Sequence, residues 1–207
     1  MLVRERMISP GKRLPANLPI SSAIETFEKI SSSWLPVVDQ EGTLVGLLTW
    51  SDVQKAQSVL SSGNKKDEGD LLVQDFMTKR YLFVNDNTPI EEAVRIMIDY
   101  DIPELPVVKD GYFAGIITDK TMLRVLMEIT GARRQGLRLM VKLENKTGML
   151  LALLKLITDL NGSVEGFCAY SGQENEYTVV TMRVEGVDKY TLKQALTGLD
   201  CEVVDIR

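Results

Sequence analysis

Apolar residues fall at helical spacing in two stretches of the N-terminal half, Ile20, Ala23, Ile24, Phe27 and Ile30, then Ile90, Ala93, Val94 and Met97. Each stretch is followed by two short apolar runs of the kind buried strands use: "LPVVD" and "LVGLLT", then "LPVVK" and "FAGIIT". The links "QEG" and "DG" are hairpin signals, and a second helix is predicted after each terminal Thr. With the extended lead-ins "SPGKRLPANLP" and "TKRYLFVNDNTP", each copy reads β-α-β-β-α. The copies are a repeat. Met7, Pro19-Ile20 and "LPVV" at 35–38 recur 70 residues later as Met77, Pro89-Ile90 and "LPVV" at 105–108. The offset becomes 69 at "GLLTWSDV" (46–53) and "GIITDKTM" (115–122). A unit of roughly 50–60 residues buries too little apolar surface to stand comfortably alone, so the two are expected to pack their sheets face to face around one core.

After "TGARRQG" the pattern changes. "LRLMVKL" alternates as a strand does, "ENKTG" is a turn, and "MLLALLKLITDLNG" is a helix expected to end at Gly162. "SVEGFCAY" and "EYTVVTMRVEG" read as strands around the turn "SGQEN", "DKYTLKQALTGL" as a helix, and "CEVVDI" as a last strand. The order β-α-β-β-α-β is the ferredoxin-like arrangement. Expected boundaries are 1–57 for repeat one, 58–70 for a flexible connector, 71–130 for repeat two, 131–136 for a hinge and 137–207 for the ferredoxin-like domain. The helix at 149–160 is apolar nearly all round; it is either tightly buried or partly covered by a second copy of the chain.

Composition narrows the function classes. The net charge of −5 with only short basic clusters (Lys65-Lys66, Lys79-Arg80, Arg133-Arg134) disfavours nucleic acid as a partner. The absence of His removes the commonest general base and zinc ligand. Cys168 and Cys201 match no metal spacing and are expected to be buried core thiols in a reducing compartment. No apolar run reaches the roughly 20 residues needed to span a bilayer, and the first residues lack the apolar core of a secretion signal. A cytoplasmic protein is expected, with no membrane association.

The repeated phrase carries the candidate chemistry. Gly46 permits close approach of a neighbour; Thr49 and Ser51 offer hydroxyls at a helix start, where backbone N–H groups suit an anion; Asp52, one turn in, could accept from two vicinal sugar hydroxyls. The same Thr-x-x-Asp is also close to a capping box, which needs no ligand. The second copy has Thr121 in place of Asp52.

Two β-α-β-β-α copies, each with "LPVV" and Gly-h-h-Thr, resemble a tandem pair of CBS domains (a Bateman module). Residues 137–207 resemble an ACT domain, with "ENKTG" at its ligand turn. The combination resembles the acetoin-utilisation regulatory proteins of bacteria. The expected fold is therefore α/β (α+β): two CBS repeats in a pseudo-two-fold pair plus a βαββαβ ACT domain. The resemblance implies a non-catalytic regulatory protein with no resident cofactor, and a nucleotide cleft where Thr49, Ser51 and Asp52 face Lys79, Tyr81, Leu82 and Val84. A weaker mirror cleft would use Gly11, Lys12, Thr118 and Thr121, and an amino-acid site Asn145, Thr147 and Gly148. Asn145 as a helix N-cap is the ligand-free reading of that turn. Trp34 and Trp50 read as packing residues. Glu104, just before "LPVV", is either a surface acid or a group that repels phosphate, so AMP, adenosine or S-adenosylmethionine is favoured over ATP. Expected partners are the small-molecule ligand, a second copy as a homodimer, and a regulated protein. A ligand-free interaction scaffold is the alternative.

Overall fold

The computed structural model describes residues 1–8, 11–30, 33–61, 71–171 and 176–207. The expected flexible connector lies outside them from residue 62 onward, as do Lys65, Lys66 and most of the "SGQEN" turn. The chain divides into two compact units, 1–121 and 122–207.

The first unit opens with a 3-10 turn, Val3–Glu5, followed by β1 (Leu14–Pro15), α1 (Ile20–Glu28), β2 (Trp34–Val38), β3 (Leu44–Thr49), α2 (Trp50–Ser61) and the short α3 (Val73–Phe76). The second copy follows as β4 (Val84–Asn85), α4 (Ile90–Asp99), β5 (Glu104–Lys109) and β6 (Tyr112–Thr118), with α5 (Asp119–Ile129) starting at the unit boundary. Each copy forms a three-stranded sheet, β1-β2-β3 or β4-β5-β6, whose first pair is parallel and second antiparallel. The helical stripes are buried as their spacing requires: Ile20, Ala23 and Phe27 on α1, and Ile90, Ala93 and Met97 on α4. The hairpins close by different chemistry. In the first, Asp39 Oδ1 accepts from the N–H groups of Glu41 and Thr43, and Gly42 takes φ +90°. The second is a two-residue turn with both Asp110 and Gly111 at positive φ. Val38 and Leu44 pack with Val108 and Phe113, so the two copies share core as expected.

The lead-in of each copy packs on the other copy. Val3 N–H donates to the Thr88 carbonyl at 2.9 Å, and Val73 N–H to the Leu18 carbonyl at 2.9 Å. Leu2 bridges to Pro89 and Pro19 to Leu72. Leu47 and Thr78 exchange two backbone hydrogen bonds of 3.0 and 2.8 Å, as Ile8 and Ile116 do at 2.8 and 3.1 Å. This crossing explains the glycine of the repeated phrase. A Cβ at Gly46 would lie 2.5 Å from Met77 Sδ and 3.2 Å from the Thr78 carbonyl oxygen, and one at Gly115 would lie 2.5 Å from the Ile8 carbonyl oxygen. Thioether ends can swing aside and backbone carbonyls cannot. Gly115→Ala is therefore expected to cost about 2–3 kcal/mol and Gly46→Ala about 1–2, measurable as the difference in their urea midpoints.

In the second unit β7 (Leu137–Glu144), α6 (Met149–Asp159), β8 (Ser163–Ser171), β9 (Tyr177–Glu185), α7 (Lys189–Leu196) and β10 (Cys201–Ile206) form an antiparallel sheet of order β10-β7-β9-β8. That is the ferredoxin-like order, with the edges formed by the second and last strands of the motif. Leu139, Val141 and Leu143 of β7 and Val180, Met182 and Val184 of β9 share a core with Leu153 and Ile157 of α6 and Leu192 and Leu196 of α7. Asp188 caps α7 by accepting from the N–H groups of Tyr190 and Thr191. Three local expectations are corrected. The left-handed residue after α6 is Asn161, at φ 59°, whereas Gly162 is selected for space, since a Cβ there would meet Val187 and Ile157 within 2.8 Å. The helix is not tightly buried all round, because Leu151 is 71% exposed. Cys168 and Cys201 are half-buried rather than core thiols. Residues 131–136 touch this unit's own sheet: Gly131 lies against Gly166, and the Gly136 carbonyl accepts from Arg183 at 3.0 Å.

Candidate functional site

The end of β3 and the start of α2 are locked together by the Thr-x-x-Asp motif. Asp52 Oδ2 accepts from the Thr49 N–H at 3.1 Å and its hydroxyl at 2.7 Å, while the Asp52 N–H donates to Thr49 Oγ1 at 3.2 Å. This reciprocal pairing is a capping box, so the ligand-free reading of the motif holds in this structure. The box is not sealed off from function. Asp52 Oδ2 also accepts from the hydroxyl of Thr78, across from the other copy, at 3.4 Å, and Oδ1 from Lys55 at 3.2 Å. Asp52 is only 5% exposed. Burial alone would push its carboxyl up, but the hydrogen bonds from Thr49 and Lys55 outweigh that and hold it below the ordinary range.

A cleft of about 620 Å³ opens beside this box. Thr49 and Thr78 stand at one side, with Lys79, Arg80, Tyr81 and Leu82 from the lead-in of copy two, and Trp34, Leu47, Ile102, Glu104 and Pro106 complete the lining. The Tyr81 hydroxyl donates to the Leu44 carbonyl at 2.8 Å, which fixes the ring at the cleft wall. Among the described residues Lys79 and Arg80 have no acidic partner. Glu104 is partly buried, and burial, with Asp119 nearby, pushes its carboxyl above the ordinary range.

The structure thus gathers Thr49, Lys79, Tyr81 and Leu82 around one cavity, with Asp52 directly behind Thr49 and Thr78. Ser51 is exposed on the first turn of α2 and is not part of the lining; Val84 is buried in β4 opposite Val107. Trp34, expected only to pack, lines the cleft, and so does Thr78, which composition and motif gave no reason to select. The repeat offset does mark Thr78, because its counterpart is Ile8.

In the second copy Thr121 N–H donates to Thr118 Oγ1 at 3.2 Å and the two hydroxyls lie 3.2 Å apart. Both residues are buried, but a threonine cannot close the box onto the Thr118 N–H as a carboxylate does. The hydroxyl from the opposite copy is missing as well, since Ile8 stands there. Gly11 and Lys12 are exposed and follow directly on residues outside the described set. In the ferredoxin-like unit, Asn145, Thr147 and Gly148 share one exposed turn. The helix cap there is Gly148, at φ 92°, rather than Asn145, and a Cβ at Gly148 would meet nothing within 4 Å, so conformation alone selects the glycine. Among the described residues no cluster could hold a metal ion, and no helix is long and apolar enough to cross a membrane.

The CBS domain family pattern matches residues 3–59 and 73–128, more than half of the chain. Inosine-5′-monophosphate dehydrogenase of Methanocaldococcus jannaschii is 34% identical over 123 residues, which is 59% of this chain and 23% of that protein. The chain spans 23% to 42% of the length of three such curated relatives. The crystal structure of CBSX2 in complex with AMP is similar with 28% identity and a TM-score of 0.52, covering 62% of this chain and 97% of that one. Vibrio cholerae AcuB, at 20% identity and a TM-score of 0.54 over 64% of this chain and 95% of its own, shares the fold alone. With two β-α-β-β-α copies that exchange their lead-ins and carry the matched pattern twice, the chain belongs to the CBS domain family.

Proposed function

We propose that this protein is a sensor whose first cleft binds an adenine-containing ligand, with AMP, adenosine or S-adenosylmethionine favoured over ATP. CBS domains are regulatory, non-catalytic modules. The observation that carries the reading is the pairing of a purine-sized cavity walled by Trp34, Tyr81 and Leu82 with a buried carboxylate one hydroxyl away. Aromatic and aliphatic walls suit a purine face. Ribose hydroxyls can replace the Thr78 hydroxyl, the longest of the four contacts to the Asp52 carboxylate, and gain charge-assisted hydrogen bonds. The relative solved with AMP supports the ligand class. A panel of AMP, ATP, adenosine, S-adenosylmethionine, NADH and amino acids should raise the unfolding temperature with at least one adenine compound. At roughly 100 times the dissociation constant the stabilisation is about 2.7 kcal/mol. No shift with any compound would leave the ligand-free scaffold as the better reading.

Glu104 sets the preference among adenine ligands. Its raised pKa means that the proton is held through a higher pH range than in an ordinary glutamate, and that the charge opposing a phosphate appears as pH rises through that value. Glu104→Gln is expected to strengthen AMP relative to adenosine about three- to tenfold at neutral pH. The advantage over the wild type should shrink as pH falls and Glu104 becomes neutral. Parallel titrations of both ligands across pH check the sign.

We further read the ferredoxin-like unit as an ACT domain with an amino-acid site at Asn145, Thr147 and Gly148, in a cytoplasmic regulatory protein related to the acetoin-utilisation family. The exposed Leu123, Leu126 and Ile129 on α5 and Leu151 on α6 favour a homodimer, and the regulated target would be a separate protein.

A further inference from the structure

We propose that the second unit carries a separate binding site for a small polyanion, between the end of α5, the 131–136 segment and β8. A cavity of about 450 Å³ is lined there by Arg124, Arg133, Arg134, Glu128, Glu165 and Gly131, among others. That volume suits a small metabolite rather than a chain segment. Its three guanidinium groups have no acidic or hydrogen-bonding partner among the described residues. The two glutamates, by contrast, are engaged: Glu165 accepts from the Ser163 hydroxyl at 2.8 Å, and Glu128 also has a partner. Three guanidinium groups against two carboxylates give the lining a net positive charge in a chain whose overall charge is −5.

The segment that carries Gly131 lies directly on the sheet. Gly131 and Gly166 are in backbone contact, so a Cβ at Gly166 would lie 2.3 Å from Gly131 N. Arg183 runs under Gly131, gives one Nη to the Gly136 carbonyl, and keeps its Nε buried without a partner. Guanidinium forks match phosphate and carboxylate oxygens alike. Their shared chemistry defines the ligand: several negative charges within reach of three arginines that line one cavity. The site is chemically distinct from the first cleft, which offers aromatic walls and a buried carboxylate.

Isothermal titration of the full chain with pyrophosphate and with citrate tests the site. At least one probe is expected to bind with one equivalent per chain and to weaken as salt rises. Tighter pyrophosphate would assign a phosphorylated ligand, and tighter citrate a polycarboxylate. The double variant R133A/R134A, both exposed positions, should lose about tenfold or more in affinity for that probe, while Asp52→Ala should not change it. Failure of both probes to bind, full retention of binding by R133A/R134A, or loss of binding in Asp52→Ala would each overturn the proposal.

Discussion

Gly166→Ala is expected to lower the unfolding temperature of the ferredoxin-like unit by about 10 °C or more. A Cβ at this position would lie 2.3 Å from Gly131 N, 2.5 Å from Gly131 Cα and 2.6 Å from the Thr130 carbonyl carbon. All three are backbone atoms, so no rotamer change relieves the clash. Either β8 withdraws from β9 or the 131–136 segment lifts from the sheet. Overpacking of this kind costs about 3 kcal/mol, and in a unit of this size each kcal/mol shifts the midpoint by roughly 4–8 °C. Gly11→Ala, which would meet nothing within 4 Å, serves as the neutral control. Calorimetry should place the loss in the transition of the second unit; an unchanged profile would mean that the segment does not rest on β8.

The second large effect concerns the carboxylate. Asp52→Ala is expected to weaken an adenine ligand about ten- to a hundredfold, because two charge-assisted hydrogen bonds to ribose are worth about 1.5–3 kcal/mol or more. The same change opens the capping box, costing about 1 kcal/mol of stability, so affinity must be measured well below the variant's own unfolding temperature. Thr121→Ala, at the corresponding place in copy two, should change affinity less than about threefold, since an uncharged hydroxyl contributes little. Thr78→Val isolates the hydroxyl from which Asp52 accepts across the two copies. It leaves the box intact while freeing a lone pair, and its ligand affinity should stay within a few-fold of wild type.

The repeat made the architecture legible. Helical spacing at Ile20-Ala23-Phe27 and Ile90-Ala93-Met97, two hairpin turns and the 70-residue offset were enough to place the ten elements of the two copies in outline. What local pattern could not reveal was the crossing of the lead-ins. Pairing Leu47 with Thr78 and Ile8 with Ile116 depends on contacts far apart in sequence, and nothing in the runs themselves specifies which copy each lead-in joins. For the same reason Gly46 was recognisable as a close-approach position while its neighbour was not. The cleft was partly legible. Thr49 followed from the motif, while Lys79, Tyr81 and Leu82 came only with the resemblance to CBS pairs, and Val84, which the resemblance also implied, sits at a strand position whose side chain turns into the core. Trp34 and Glu104 reach the cleft because β2 and β5 bring the residues before each "LPVV" to its rim, a tertiary placement without a local signal.

The pairing of Asp52 with Thr78 sharpens the asymmetry between the copies. Where the second copy loses the carboxylate, the facing residue is Ile8, so both halves of the polar contact are absent together. A calorimetric titration of the full chain with AMP tests this asymmetry most directly. One equivalent per chain is expected, with binding sharply weakened by Asp52→Ala and nearly unaffected by Thr121→Ala. Two equivalent sites, equal losses in the two variants, or no binding of any adenine ligand would contradict it.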